Sequence, residues 1–279
     1  MSASRVCLAF ASVALCIAVG VQGQDAPGDK LTVPFSDPTR PGTVRIGLIN
    51  GGITVKGYSG REVIIEARSD EGDRDRDNDR QAVRGGLRRI PNRSSGLTVE
   101  EDDNVMKVGT SSHNRTTNVV LQVPVQTSLK LSCTNDGDIN VDGVTGDVEA
   151  NNTNGAVRLT NVSGSVVAHA FNDDLTVSMV RVDPQKPMSF SSFNGDIDVT
   201  LPSTIKATVK MQTEMGEIYS DFDMQIQPVA TQRVEDARSS RGRYQIRLEK
   251  VLSGAINGGG PEISLKNYNG DIRIRKGAQ

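Results

Sequence analysis

The sequence predicts an all-β chain: a single-domain β-solenoid, β-helix-like, of stacked rungs roughly 18–22 residues long, with a charged loop inserted into it. Three observations carry this expectation. A turn stamp, Asn-Gly-Asp or a close variant followed by alternating apolar residues, recurs at Asp136-Gly137-Asp138-Ile139, Asn154-Gly155-Ala156-Val157, Asn172-Asp173-Asp174-Leu175, Asn194-Gly195-Asp196-Ile197 and Asn269-Gly270-Asp271-Ile272. The first three copies start 18 residues apart, and residues 136–153 lie over 154–171 without a gap. In that overlay Ile139 falls on Val157, Val141 on Leu159, Val144 on Val162, Val148 on Val166 and Ala150 on Ala168. Finally, the chain has no Trp and 4% aromatic residues against 28 Gly, which suits a thin core of Val, Ile, Leu and Ala between two close sheets.

Within each repeat the apolar residues alternate with polar ones, the period of a strand with one face inward. A second turn halfway, at Thr145-Gly146-Asp147 and Ser163-Gly164-Ser165, divides each rung into two strand-turn units. An antiparallel meander would also space its turns regularly. Like residues sitting on like across whole rungs favour the solenoid, with strands roughly 4.8 Å apart. Asn and Gly at the turns are read as supplying positive-φ or side-chain-bonded corners.

Taken in order, residues 1–23 read as a signal peptide: Arg5, an apolar stretch from Val6 to Gly20, and a small-residue cleavage site at Val21-Gln22-Gly23. Beyond it no apolar run is long enough to span a bilayer. Residues 24–42, rich in Pro, Asp and Gly, read as a loose lead-in to a domain over 43–279. Strands are expected at Gly42–Leu48, Gly52–Val55 and Glu62–Ala67, the second after an early, degenerate stamp at Asn50-Gly51-Gly52. Residues 69–93 alternate acidic and basic side chains and read as a mobile insertion. Strands resume at Gly96–Glu101, Asn104–Gly109 and Asn118–Val123, and the repeats run from Leu129 to Val180. Met188–Leu201 and Ile205–Asp221 follow, then a polar excursion at Thr231–Ser240. Tyr244–Leu248, Glu262–Lys266 and the last stamp complete the chain; that last strand reads as an exposed edge blunted by Arg273, Arg275 and Lys276.

The net charge of −2 gives no reason to expect a nucleic-acid partner. Asp73 to Asp79 resembles the start of a calcium loop, but Asn78 replaces the required Gly and Arg84 the final Glu. One aspartate per rung falls short of a calcium-binding glycine-rich repeat. Acid–base chemistry on a sugar needs two carboxyls in different environments across a groove, whereas Asp136/Asp138, Asp173/Asp174 and Asp196/Asp198 lie side by side on turns or outward strand positions. His113 and His169 belong to no recognisable triad, and Cys133 reads as a small buried hydrophobe. No catalytic residue, metal site or cofactor is expected. The candidate contact residues are two outward ladders, Asn140/Arg158/Thr176 and Asp142/Thr160/Ser178.

Val119-Val120-Leu121-Gln122-Val123-Pro124, the strand Leu129–Thr134 and Asp136-Gly137-Asp138-Ile139 together resemble a bacterial family. So does the run from Asn194 to Pro202 continued by Ala207-Thr208-Val209 and Gly216-Glu217-Ile218. The family is DUF4097, exported adhesin-type proteins of unassigned function with toast-rack or head-GIN-like β-repeats, and the resemblance spans about residues 43–275. It implies a β-solenoid with no assigned catalytic residue and an adhesin or envelope role. The expected protein is a non-enzyme located in the periplasm, on the cell surface or outside the cell. Its expected partner is an envelope protein or a surface glycan. The alternatives are a regulatory or scaffold domain in envelope-stress signalling and a polysaccharide-active enzyme.

Overall fold

A computed structural model describes residues 29–70, 83–84, 87–88, 96–111, 115–135, 137–237 and 243–277. The chain enters through β1 (Asp29–Pro34), then forms a first rung from β2 (Thr43–Asn50) and β3 (Ile53–Tyr58). It turns outward through β4 (Glu62–Asp70), the two-residue strands β5 (Val83–Arg84) and β6 (Leu87–Arg88), and β7 (Leu97–Asp102). The next rung is β8 (Val105–Thr110) and β9 (Thr116–Pro124). The regular stack follows: β10 (Ser128–Asn135), β11 (Ile139–Asp142), β12 (Val148–Asn152), β13 (Val157–Gly164), β14 (Val166–Ala170), β15 (Leu175–Val182), β16 (Met188–Ser192) and β17 (Ile197–Leu201). The last third is β18 (Ala207–Gln212), β19 (Ile218–Ser220), β20 (Ile226–Ala237), β21 (Arg243–Ile256), β22 (Glu262–Lys266) and β23 (Ile272–Lys276). Among the described residues there is no helix.

Successive strands from β10 to β19 alternate between two sheets, so one rung is one strand in each. Sheet A runs β1-β4-β9-β3-β11-β13-β15-β17-β23-β19, and sheet B runs β20-β21-β18-β22-β16-β14-β12-β10-β2-β8-β7. The interior of both is parallel and in register: Ile139↔Val157, Val141↔Leu159, Val148↔Val166 and Ala150↔Ala168 are partners, as the repeat overlay predicts. The inward columns of Val, Ile and Leu are almost wholly buried. Each such side chain contributes roughly 1.5–3 kcal/mol, set against the cost of ordering its backbone.

Both ends depart from the linear order read in the sequence. The first rung, β2/β3, lies between β8/β9 and β10/β11, because the chain leaves after β3 and returns on the far side. The last rung, β22/β23, is threaded between β16/β17 and β18/β19. The final stamp therefore does not form an exposed edge. Arg273 and Arg275 instead pair with Asp196, Asp271 and Asp198 of the structure around them. Parallel stacking gives way to antiparallel caps at three of the four sheet ends: β4 and β1 on β9, β7 on β8, and the β20–β21 hairpin on β18.

Two further expectations change. The loose lead-in contains a strand, Asp29–Pro34, aligned on β4. Thr231–Ala237 continues β20 and pairs with β21 up to Ala237↔Arg243, where the sequence suggested a polar excursion. Backbone pairing, which polar residues support as well as apolar ones, sets that hairpin. Residues 1–28, most of the charged insertion 69–93, Asp136 and His113 lie outside the described residues.

Candidate functional site: the turn corner and the outward ladders

The stamp builds a corner by three stacked devices. Its aspartate accepts the backbone N–H of the next rung: Ala156 N to Asp138 Oδ1 at 3.0 Å, Asp196 N to Asp174 at 2.8 Å, Asp271 N to Asp196 at 2.9 Å and Glu217 N to Asp271 at 3.0 Å. Its asparagine donates to the asparagine of the preceding rung, in a ladder Asn194→Asn172→Asn154→Asn135 with steps of 3.0, 2.7 and 2.9 Å. Just before the corner, a buried side chain donates back to a turn carbonyl of the rung before. Cys133 Sγ reaches Gly51 O, Asn152 Nδ2 Gly137 O, Ser192 Oγ Asp173 O and Asn267 Nδ2 Gly195 O. Cys133 is buried, as its alternation predicts, and its thiol is part of this stitching.

The stamp glycines divide into two kinds: Gly51 and Gly270 have the positive φ expected of a turn, at 115° and 140°, and three others serve a different purpose. Gly137, Gly155 and Gly195 do not have positive φ. Instead a Cβ on any of them would overlap backbone atoms of Gly51, Gly137 and Asp173 respectively, so glycine is there to let two rungs approach. The copy that carries a side chain at this position, Asp173, is the copy that has Ala170 in place of the stitching donor.

Beside the asparagine ladder runs a feature not read from the sequence. Phe171, Phe193 and Tyr268 stack with centroids 5.0 and 4.6 Å apart and planes within 6° and 2° of parallel. His169 meets Phe171 edge-on at 6.2 Å and its Nδ1 lies 2.8 Å from Ser191 Oγ. A legible signal existed: each of the three rings immediately precedes a stamp asparagine. Phe193 has a ring on both faces and presents its edge to solvent. Sugars stack on open ring faces, so Phe193 clamps rungs together and offers no face to a glycan, while Phe171 and Tyr268 end the column partly exposed.

The first outward ladder is in register and longer than expected: Asn140, Arg158, Thr176, Asp198 and Arg273 follow one another across sheet A. Arg158 pairs with Asp138, and Arg275 with Asp198 at 2.8 Å. The second ladder is broken. Asp142 lies opposite Thr160, but a bulge follows, with Asn161 at φ 53°, and the pairing resumes at Val162↔Met179. The bulge leaves Thr160 and Asn161 together opposite Ser178, which pairs with Thr200 on its other side, while Asn161 Nδ2 donates to Asp142 at 3.0 Å.

The carboxylates of the stamp are committed to this architecture. The backbone N–H of Asp271, followed by the Arg273 guanidinium, holds the Asp196 carboxyl below the usual range. That is the reverse of what a general acid requires. Among the described residues no three His, Cys, Asp or Glu side chains come together as a metal group.

A family model described as Toastrack DUF4097 matches residues 110–275, more than half of the chain. The chain belongs to the Toastrack DUF4097 family. In this Toastrack chain the matched region starts near β9, so the inserted first rung and its caps continue both sheets beyond the family match. No curated protein matches the chain. Among solved structures, a candidate cell adhesion protein from Clostridium sporogenes is similar, with 12% identity, coverage of 90% of this chain and 100% of that one, and a TM-score of 0.43.

Proposed function

We propose that this Toastrack protein is an exported, non-catalytic binding module of the cell envelope, an adhesin-like β-repeat that presents the outer face of sheet A to an envelope protein or a surface glycan. The observation that carries this reading is the outward ladder Asn140-Arg158-Thr176-Asp198-Arg273, five in-register positions at strand spacing. Several of its charges are pre-oriented by ion pairs, so a partner has little side-chain ordering left to impose. The non-catalytic part is supported by the commitment of Asp174, Asp196 and Asp271 to backbone amides.

The test compares the wild type with Arg158→Glu/Thr176→Glu for retention by native envelopes. At least a tenfold loss of retention, by a variant that stays folded by circular dichroism with a somewhat lower melting temperature because it sets like charges opposite one another, is the expected result; unchanged retention removes the ladder. In parallel, a polysaccharide panel with product detection should show no turnover. Turnover abolished by Asp196→Asn or Asp198→Asn would overturn the non-catalytic reading.

A further inference from the structure

Charged residues on the outer faces are arranged in two ways. Most are matched with the opposite sign across neighbouring strands: Lys30 with Glu66 at 2.9 Å, Lys210 with Glu262 at 2.7 Å, Arg273 with Asp196 at 2.6 Å, Arg275 with Asp198 at 2.8 Å. A row on sheet B departs from this habit. On sheet B, Lys107, Arg45 and Lys130 are successive cross-strand partners on β8, β2 and β10. Three cations therefore stand side by side within about 10 Å, two strand spacings. Like charges directly opposite one another destabilise a sheet. Glu100 lies opposite Lys107 at one end of the row and Glu149 opposite Lys130 at the other. Lys130 reaches Glu149 at 2.8 Å, but among the described residues neither Arg45 nor Lys107 has an ion-pair partner.

Next to this row the surface is hollow. Two residues beyond Arg45 on the same face is Gly47, where a Cβ would come within 3.0 Å of Ser132 Oγ. With Ser132 and Asn151 it floors a shallow trough of about 490 Å³ walled by Arg45, Lys107 and Lys130, with Glu149, the ion-pair partner of Lys130, also in its wall. The strand position that would cover the backbone is thus empty where the cations converge. A rigid guanidinium flanked by two ammonium groups is a donor set suited to phosphate oxygens, the fork taking two oxygens and the lysines acting as point charges.

We propose that this trough is a binding site for a phosphate-bearing anionic polymer, which lies across β8, β2 and β10 and is held by Lys107, Arg45 and Lys130. Glu149 lines the trough at the Lys130 end, so the polymer must displace or pass its carboxylate there, and Glu100 lies opposite Lys107 at the other end. The repulsion among the three cations is the stability cost of the site, relieved when the polymer binds. The site is on the sheet opposite the proposed contact ladder and does not depend on it.

The experiment titrates the full chain with linear inorganic polyphosphate, with orthophosphate and with phosphatidylglycerol vesicles. Polyphosphate should bind, and Arg45→Glu should weaken it at least tenfold while leaving the melting temperature equal or higher, because glutamate between two lysines restores alternating signs. The double variant Lys206→Glu/Lys266→Glu, which changes net charge more but lies elsewhere, should alter affinity less than twofold. Arg158→Glu/Thr176→Glu should leave polyphosphate binding intact, which separates this site from the sheet A ladder. Absence of polyphosphate binding, equal loss in the control double variant, or an Arg45→Glu protein that binds normally would each overturn the proposal. Equally tight binding of orthophosphate would replace the polymer with a single-anion site, and binding of vesicles alone would replace it with a lipid surface.

Discussion

Replacing Gly155 with alanine tests why the stamp contains glycine. The added Cβ would overlap the Gly137 carbonyl and come within 2.9 Å of Asn152 Nδ2. Because φ at Gly155 is not positive, backbone strain plays no part, and the whole cost is the separation of two rungs. Overpacking of this kind costs about 1–3 kcal/mol. Separation also weakens the Asn152 bonds to Gly137 O at 2.9 Å and Ala156 O at 3.2 Å, at about 0.5–1.5 kcal/mol each. The expected loss is about 2–6 kcal/mol by urea unfolding. Gly258→Ala is the contrast: φ is 91° and nothing lies within 4 Å of the new methyl, so only conformational strain of about 1–2 kcal/mol applies. In the Asn152→Ala background, which imitates the Ala170 rung, the Gly155→Ala penalty should shrink by about 1 kcal/mol, because the displaced amide is gone. A Gly155→Ala protein no less stable than Gly258→Ala would refute close approach as the reason for this glycine.

Phe193→Ala removes two ring-stacking contacts, to Phe171 and Tyr268, and should cost about 2–4 kcal/mol with a weaker near-ultraviolet circular dichroism signal, since each ring pair is worth about 0.5–1.5 kcal/mol beyond burial. Asp196 binds its proton less readily folded than unfolded, so its charged form stabilises the fold above the ordinary value of 3.8 and that contribution is lost as pH falls below it. Acid titration of the wild type should therefore show a stability loss below about pH 4 that is shallower in Asp196→Asn. Cys133 is buried and bonded to Gly51 O, so a thiol reagent should label it only once urea unfolds the chain.

The middle of the molecule was legible because chain order and spatial order coincide there. Ile139 over Val157 over Leu175 is visible as a period before it is visible as a column. The ends were not legible, because there the neighbour in space is far along the chain: Asn135 donates to Asn50, and Asp271 to Asp196 across 75 positions. No short-range period records such a return. The in-register part of the candidate ladder, Asn140/Arg158/Thr176, followed from the same period. Ser178 did not, because a one-residue bulge at Asn161 leaves the residue pattern nearly unchanged while shifting the pairing. The aromatic column was hidden by its rarity: three rings scattered over nearly a hundred residues align only once the inserted last rung is in place.

The most direct test of the parallel, in-register stack is a spin-label distance between Thr54 and Tyr219, six strand steps apart along one row of sheet A: Thr54, Asn140, Arg158, Thr176, Asp198, Arg273, Tyr219. Stacked rungs predict a single distance near 29 Å, six spacings of about 4.8 Å. A distance well below 20 Å, or two separate populations, would contradict the stack and with it the threading of the last rung between β17 and β19.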